Sequence, residues 1–273
     1  LDGWRKLDEV PFDFTRRRVS VLAAEGARRL AVVKGAPEAI LERVTAIEAE
    51  DGSIRPLDAA TRERLVADHE GRAAEGRRLL GVAWKAVEDG RDRLGAADEE
   101  DLVFAGWCVF LDPPKASAGE AIARLERAGV RVKVVSGDAP AVVRHLVDAL
   151  GIPARGLLTG AEIARLDDTG LAARVEEVDL FARVAPDQKM RIITALQRRG
   201  HTVGFMGDGI NDAPAIRAAD VGLSVDGATD VAREAADMIL TAPDLGVLAD
   251  GVEEGRRTFA NILKYVRMGT SSN

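Results

Sequence analysis

The sequence predicts an α/β fold in two parts, an α+β segment followed by a segment in which strands and helices alternate. Three observations carry that reading. The first third of the chain holds β-rich runs separated by turns. After LVFAGWCVFL the strand and helix patterns alternate regularly, which favours a parallel sheet covered on both faces. Within that second segment TVGFMGDGINDAPAIRAADVGLSV reads as strand, loop, helix, strand, with two carboxylates in the loop.

In chain order, RRRVSVLA and RRLAVVKG are β-rich and meet at Glu25-Gly26, the signature of a hairpin. Pro37 opens a short helix, APEAILERV. A turn at Asp51-Gly52 leads through IRPL to a longer helix from about 59 to 76, with Leu65, Val66, His69 and Ala73 on one side. RLLGVAW is a strand. Residues 88–101 are charged and lack an apolar period, so they read as a surface loop or linker.

In the second segment VRVKVVS is a strand and AVVRHLVDALG its helix, closed by Gly151. LFARV is a strand, and PDQKMRIITALQRRG a helix with Pro186 at its start and Gly200 at its end. TVGFM, VGLSV and MIL continue the sheet. A long helix over 244–268 has Leu245, Leu248, Val252, Phe259, Ile262, Leu263 and Val266 along one side, a stripe that reads as core packing.

The 273 residues are enough for about two domains. A net charge of -7 excludes a basic nucleic-acid-binding surface. Cys108 is the only cysteine, so there is no intrachain disulfide and no cysteine-rich zinc site, and the three histidines make no metal-ligand spacing. No apolar run reaches the length of a bilayer-spanning helix. The chain opens on Leu without a leader pattern and ends in GTSSN without a cap, so it reads as a piece of a larger protein.

Asp208 follows an apolar strand between two glycines, and Asp212 follows it four residues on. Glycines able to take positive φ would bring the backbone close to a ligand, and a carboxylate at a strand's carboxyl end suits a hard cation such as Mg²⁺. The plainer reading is an Asp-Gly turn with solvated acids. DPPK at 112–115 is, as bare sequence, a stiff turn. Ser136-Gly137-Asp138 follows a strand and is either a helix cap or a phosphoryl-binding edge shared with Asp208. Lys189 stands in the first turn of its helix, where the macrodipole disfavours a cation unless an anion is bound nearby. KGAPE, at 34–38, reads as a strand-end turn before a helix.

The order DPPK, SGD, the Lys189 helix and GDGINDAP resembles the P-type cation-transporting ATPases of the haloacid dehalogenase superfamily, and the resemblance covers nearly the whole chain. VPFDFTRRRVSV, GFMGDGINDAPAIRAADVGLSVDGATDVAREAADMIL and GRRTFANILKY are most similar to the magnesium-importing branch. The resemblance implies a Rossmann-like haloacid dehalogenase-type phosphorylation domain with an α+β nucleotide-binding domain. Its boundaries would be 1–105 for the nucleotide-binding part, 106–250 for the phosphorylation part and 251–273 for a stalk helix towards the membrane. DPPK would belong to the hinge between the first two.

The resemblance also implies the site. Asp208 would hold catalytic Mg²⁺, with Asn211 and Asp212 supporting it. Ser136, Gly137 and Asp138 would bind the phosphoryl group, contacted too by Lys189. The ATP pocket would be lined by Phe14, whose ring would stack on adenine, and by Arg16, Lys34, Gly35 and Arg78, with Arg183 near the phosphorylation site. Serine stands at 136 where the family usually has threonine, which keeps the hydroxyl. The family's phosphorylated Asp lies in a DKTGT motif, and no DKTGT occurs here. ATP, a transported cation and the actuator and membrane domains of the same polypeptide would be the partners, at the cytoplasmic face of the cell membrane. A soluble haloacid dehalogenase-type phosphatase and a non-catalytic nucleotide-binding module are the alternatives.

Overall fold

The computed structural model describes residues 3–111, 115, 117–242 and 244–271. They form two compact units that divide between Asp112 and Pro113.

In the first unit β1 (Arg5–Asp13), β2 (Arg18–Glu25) and β3 (Arg28–Gly35) form an antiparallel meander. Gly26, at φ 59, makes the tight β2–β3 turn. α1 (Pro37–Leu41) begins on a proline and is far shorter than the expected APEAILERV helix. Residues after it turn into β4 (Val44–Glu48), which pairs with β5 (Ile54–Pro56), a hairpin that the sequence reading missed. Val44 is buried in the core as a strand residue, and that burial outweighs the helical pattern of its neighbours. α2 (Ala59–Ala74) starts as expected, its N-cap Asp58 accepting from the Thr61 amide at 2.7 Å.

β6 (Arg77–Val87) and β7 (Leu102–Leu111) complete a seven-stranded sheet of order β1-β2-β3-β6-β7-β4-β5. β4 and β7 are its one parallel pair among the described residues. The expected domain break at 105/106 therefore falls inside β7, whose two neighbours in the sheet both belong to the first unit. Val33, Ile40, Leu41, Val44, Ala83, Leu102 and Phe104 form the core on one face. Residues 88–101 carry no α-helix or strand, but they are not a linker: Glu99 is fully buried, and the Leu94 amide donates to Asp8 Oδ2 at 2.8 Å.

The second unit alternates α3 (Ala118–Arg127), β8 (Val134–Val135), α4 (Pro140–Ala149), β9 (Leu157–Thr159), α5 (Gly160–Arg165), α6 (Asp168–Arg174) and β10 (Leu180–Ala182). It continues with α7 (Pro186–Arg198), β11 (Gly204–Met206), α8 (Ala213–Ala218), β12 (Val221–Val225), α9 (Asp230–Ala235), β13 (Met238–Leu240) and α10 (Gly246–Ser271). All pairs are parallel, but they make two three-stranded sheets, β8-β10-β9 and β11-β12-β13, rather than one. β8 is shorter than the VRVKVVS run: only Val134 and Val135 pair, with Leu180 and Phe181 of the three-residue β10. The main core gathers Leu158, Ile163, Leu171, Val178, Phe181 and Ile192.

α10 runs unbroken through the expected 250/251 boundary. Its start is fastened to α3 by Arg124, which lies 2.6 Å from Asp250, and Ala249 is buried. Beyond that, Phe259, Ile262, Leu263 and Val266 are exposed, so the apolar stripe does not pack in a core as expected. Among the described residues no helix is long and apolar enough to cross a membrane.

Candidate functional site

Three groups of expected residues come together, one in the first unit and two in the second. In the second unit β11 delivers the chain into Gly207, whose amide extends the ladder to Leu223 O at 3.1 Å. The buried Ser224 hydroxyl donates to Gly207 O at 2.9 Å. Gly207 and Gly209 do not use the positive φ open to glycine. Gly207 is required for space, since a Cβ there would lie 2.4 Å from the Cβ of Asp212.

Asp212 is a buried carboxylate at the end of a single 3₁₀ turn, Ile210–Asp212. Its Oδ2 accepts from the Gly209 amide at 3.1 Å and the Asp208 amide at 3.3 Å, and its Oδ1 lies 2.6 Å from Lys189 Nζ. The ammonium in the first turn of α7 is thus answered by a carboxylate, which resolves its conflict with the helix dipole. α7 is itself locked at its start by Gln188, which accepts from the Ala185 amide and donates to Gly160 O. Asn211 is exposed in the same turn.

Asp208 is exposed, and among the described residues no hydrogen bond or ion pair engages its carboxylate. Its carbonyl accepts from the Thr229 amide at 3.0 Å, which fixes the loop while leaving the side chain to solvent. An exposed carboxylate on a fixed backbone fits a hard cation. No cluster of three or more His, Cys, Asp or Glu surrounds it among the described residues, so further ligands would come from water, backbone carbonyls or phosphate, as Mg²⁺ accepts.

Ser136 continues β8, its amide donating to Phe181 O at 2.9 Å. The SGD triplet is not the cap of α4: the N-cap is Ala139, without a side-chain bond. Instead the Ser136 hydroxyl accepts from the Asp138 amide and donates to Asp138 Oδ2. Arg183, at the unusual φ of 51, donates its amide to Asp138 O at 2.8 Å, and Val184 donates to Ser136 O at 3.0 Å. These bonds seat the SGD loop on the segment that leads into α7, so Ser136, Gly137, Asp138 and Arg183 form one neighbourhood. Ser136 and Asp208 stand at the ends of β8 and β11, each the edge strand of a separate sheet rather than parts of one edge.

In the first unit the Phe14–Arg17 turn and the KGAPE turn are joined directly. The Ala36 amide donates to Arg17 O at 3.0 Å, and Gly35 is buried so tightly that a Cβ would lie 2.5 Å from that same carbonyl. Lys34 is exposed and in register with Val82. Arg78, four residues before Val82 on β6, shares its face, about 13 Å along the strand. Phe14 is 48% exposed, and Phe12, at 54%, meets it edge to face with ring centroids 5.1 Å apart. Phe12 was not expected; the alternation of Phe12 and Phe14 around Asp13 was its signal.

Arg16 is occupied differently from expectation. Its guanidinium lies on Glu99, 2.5 Å from Oε1, and on Pro11 O. Arg18 bonds Glu99 Oε2 at 2.6 Å, and the Ser20 hydroxyl donates to Oε1. Burial works against the Glu99 charge, but the bonds from Ser20, Arg16 and Arg18 outweigh it and hold the carboxyl below the usual glutamate range. Of DPPK only Lys115 lies within the described residues.

Residues 2–117 match the family model described as "P-type ATPase, cytoplasmic domain N". The chain is 46% identical over 271 residues to the "Magnesium-transporting ATPase, P-type 1" of Salmonella typhimurium, with 99% of this chain and 30% of that protein covered. The protein of the same name from Escherichia coli K12 is 46% identical over the same share of each chain. A "Probable cation-transporting ATPase F" of Mycobacterium bovis is 36% identical over 278 residues, 97% of this chain and 30% of that protein. The chain therefore spans 30% of the length of these relatives; its residues 2–117 match the P-type ATPase cytoplasmic domain N, and along nearly its whole length it is similar to P-type ATPases.

Proposed function

We propose that this chain supplies the nucleotide-binding and phosphoryl-handling parts of an ATP-driven cation pump, with Mg²⁺ as the transported ion. The observation that carries the reading is the pairing of two prepared sites in one polypeptide. In the first unit a phenylalanine turn is bonded to a lysine-glycine turn on a sheet face that also carries Arg78. In the second, an exposed Asp208 sits on a loop that Asp212 ties to Lys189. The ion assignment rests on the likeness to magnesium-transporting ATPases.

In this reading Phe14 stacks on adenine while Lys34 and Arg78 meet the phosphates. In the second unit Ser136 and the Gly137 amide bind phosphoryl oxygens, and Lys189 offsets their charge. Asp212 holds Lys189 and the 207–209 backbone in place. Mg²⁺ at Asp208 would supply the remaining charge compensation that phosphoryl transfer requires. The nucleophile would be an Asp from outside these residues, on a strand of a haloacid dehalogenase-type sheet. β8 and β11, which lead into SGD and GDG, each have one edge without a partner among the described strands, and such an edge can accept one. α10, with its exposed apolar side, is the stalk towards the membrane of the full protein, at its cytoplasmic face.

Calorimetry of the chain with ATP tests the reading. Binding that weakens in Lys34→Ala and Arg78→Ala supports it. No heat of binding in the parent chain would remove the nucleotide site, and unchanged affinity in Lys34→Ala would remove Lys34 from it.

A further inference from the structure

The segment 88–101 reads in sequence as a surface loop or linker, yet it delivers the most completely buried acid among the described residues of the first unit. Glu99 uses both carboxylate oxygens: Oε1 receives Arg16 and Ser20, and Oε2 receives Arg18. Arg18 also donates to Arg16 O at 3.1 Å, and Arg16 donates back to Pro11 O. Both ends of the turn that carries Phe14 and Thr15 are therefore gripped from one point. Asp13 holds the turn from within, accepting the Arg16 and Arg17 amides. Arg17 then passes the constraint to the KGAPE turn through its carbonyl bond to Ala36.

We propose that Glu99 is a positioning residue for the nucleotide pocket: it sets the Phe14–Arg17 turn, and through Arg17 the Lys34–Gly35–Ala36 backbone, without itself touching nucleotide. The proposal rests on the nucleotide-binding reading above. A buried carboxylate with three charged or polar donors costs desolvation, and packed apolar residues often replace such groups without loss of stability. Its specific product here is geometry. Four of the five residues from Phe14 to Arg18 are polar, so the turn is held by polar contacts: to Glu99, to Asp13 and, from Arg17, to Glu38 at 3.3 Å.

The test is calorimetry of the whole chain with ATP and with adenosine, on the parent, Glu99→Gln and Glu99→Asp, each with its unfolding midpoint. Glu99→Gln keeps the shape but lacks the charge that pairs both guanidiniums. Its affinity is expected to fall roughly tenfold for both ligands with the number of sites unchanged, because the ring turn is shared by both. Glu99→Asp, which keeps the charge, should recover part of the loss. Lys34→Ala, in contrast, should weaken ATP and spare adenosine. A merely structural role would lower the fraction of competent sites and the midpoint while leaving the dissociation constant of the remaining sites untouched, and that outcome overturns the proposal. So does an affinity for ATP that rises in Glu99→Gln, which would mean that the freed arginines simply attract phosphate. If the parent binds neither ligand, the nucleotide reading itself has failed and the positioning role goes with it.

Discussion

Lys189 Nζ lies 2.6 Å from Asp212 Oδ1, with both side chains less than 15% exposed. Asp212 also accepts two loop amides, whereas Lys189 Nζ has this one partner among the described residues. The two ends of the pair are therefore unequal. Asp212→Ala strands a largely buried ammonium and two amides, and should cost about 3 kcal/mol. Lys189→Met leaves the carboxylate with its amide donors and should cost less. Urea unfolding of the two variants checks the order; equal losses would mean that the amide bonds contribute nothing.

Gly207, Gly160 and Gly35 are predicted to reject alanine on contact grounds. A Cβ would lie 2.4 Å from Asp212 Cβ at the first and 2.1 Å from Arg183 O at the second. At Gly35 it would lie 2.5 Å from Arg17 O. Each change should destabilise by about 1–3 kcal/mol. Gly137→Ala meets nothing closer than Val184 O at 3.8 Å and should leave the unfolding midpoint unchanged. It is therefore the variant with which to probe phosphoryl binding without disturbing the fold.

Phe12 and Phe14 are both about half exposed and brace one another edge to face. If Phe14 is the stacking ring, Phe14→Ala should abolish measurable adenosine binding while Phe12→Ala weakens it by loosening the pair, worth about 1 kcal/mol. Reversal of that order in calorimetry would assign the stacking to Phe12.

What the sequence reveals of this fold divides along physical lines. Pro186 and Gly200 mark α7 because proline and glycine act locally, and the GDG loop is legible because its residue types are unusual. The β4–β5 hairpin is not, since only tertiary burial of Val44 decides strand over helix there. Glu99 is hidden for a related reason: in DEEDL it stands among four acids, and nothing local distinguishes the one that Arg16 and Arg18 will enclose. The role of Gly207 is legible only in part, as a need for glycine without its cause. The bond between the Phe14 turn and KGAPE joins residues some twenty positions apart, which no local pattern encodes.

Acid should weaken both units through identifiable carboxylates. In Asp179, burial raises the pKa, but the Arg155 amide, Arg131 and Lys133 outweigh it and hold the group below the usual aspartate range, as the ring of donors does for Glu99. A carboxylate depressed in the folded state contributes stability that is fully present above its unfolded pKa, about 4 for either residue. That contribution is lost as pH falls through the lower folded value. Urea midpoints should thus be level between neutral pH and about pH 5 as far as these groups are concerned, then fall. Glu99→Gln should flatten the fall for the first unit alone; an unaltered profile would show that the Glu99 cluster is not linked to protons.

The chain by itself should not form a phosphoenzyme. Asp208 is exposed to solvent, and in the proposed role, as a ligand of Mg²⁺, its carboxylate would be poorly disposed for in-line attack on phosphorus. Asp212 is committed to Lys189 and two amides, so it is no better placed. Asp138 is bonded to the Ser136 hydroxyl in its own turn. Incubation with γ-labelled ATP and Mg²⁺, acid quench and hydroxylamine treatment should therefore release no acyl phosphate from this chain. A longer polypeptide that includes an upstream DKTGT segment should give a hydroxylamine-sensitive label, weakened by Lys189→Met and by Asp208→Asn. A label on the present chain that Asp208→Asn removes would make Asp208 the nucleophile, and the pump assignment would then give way to an autonomous phosphotransferase.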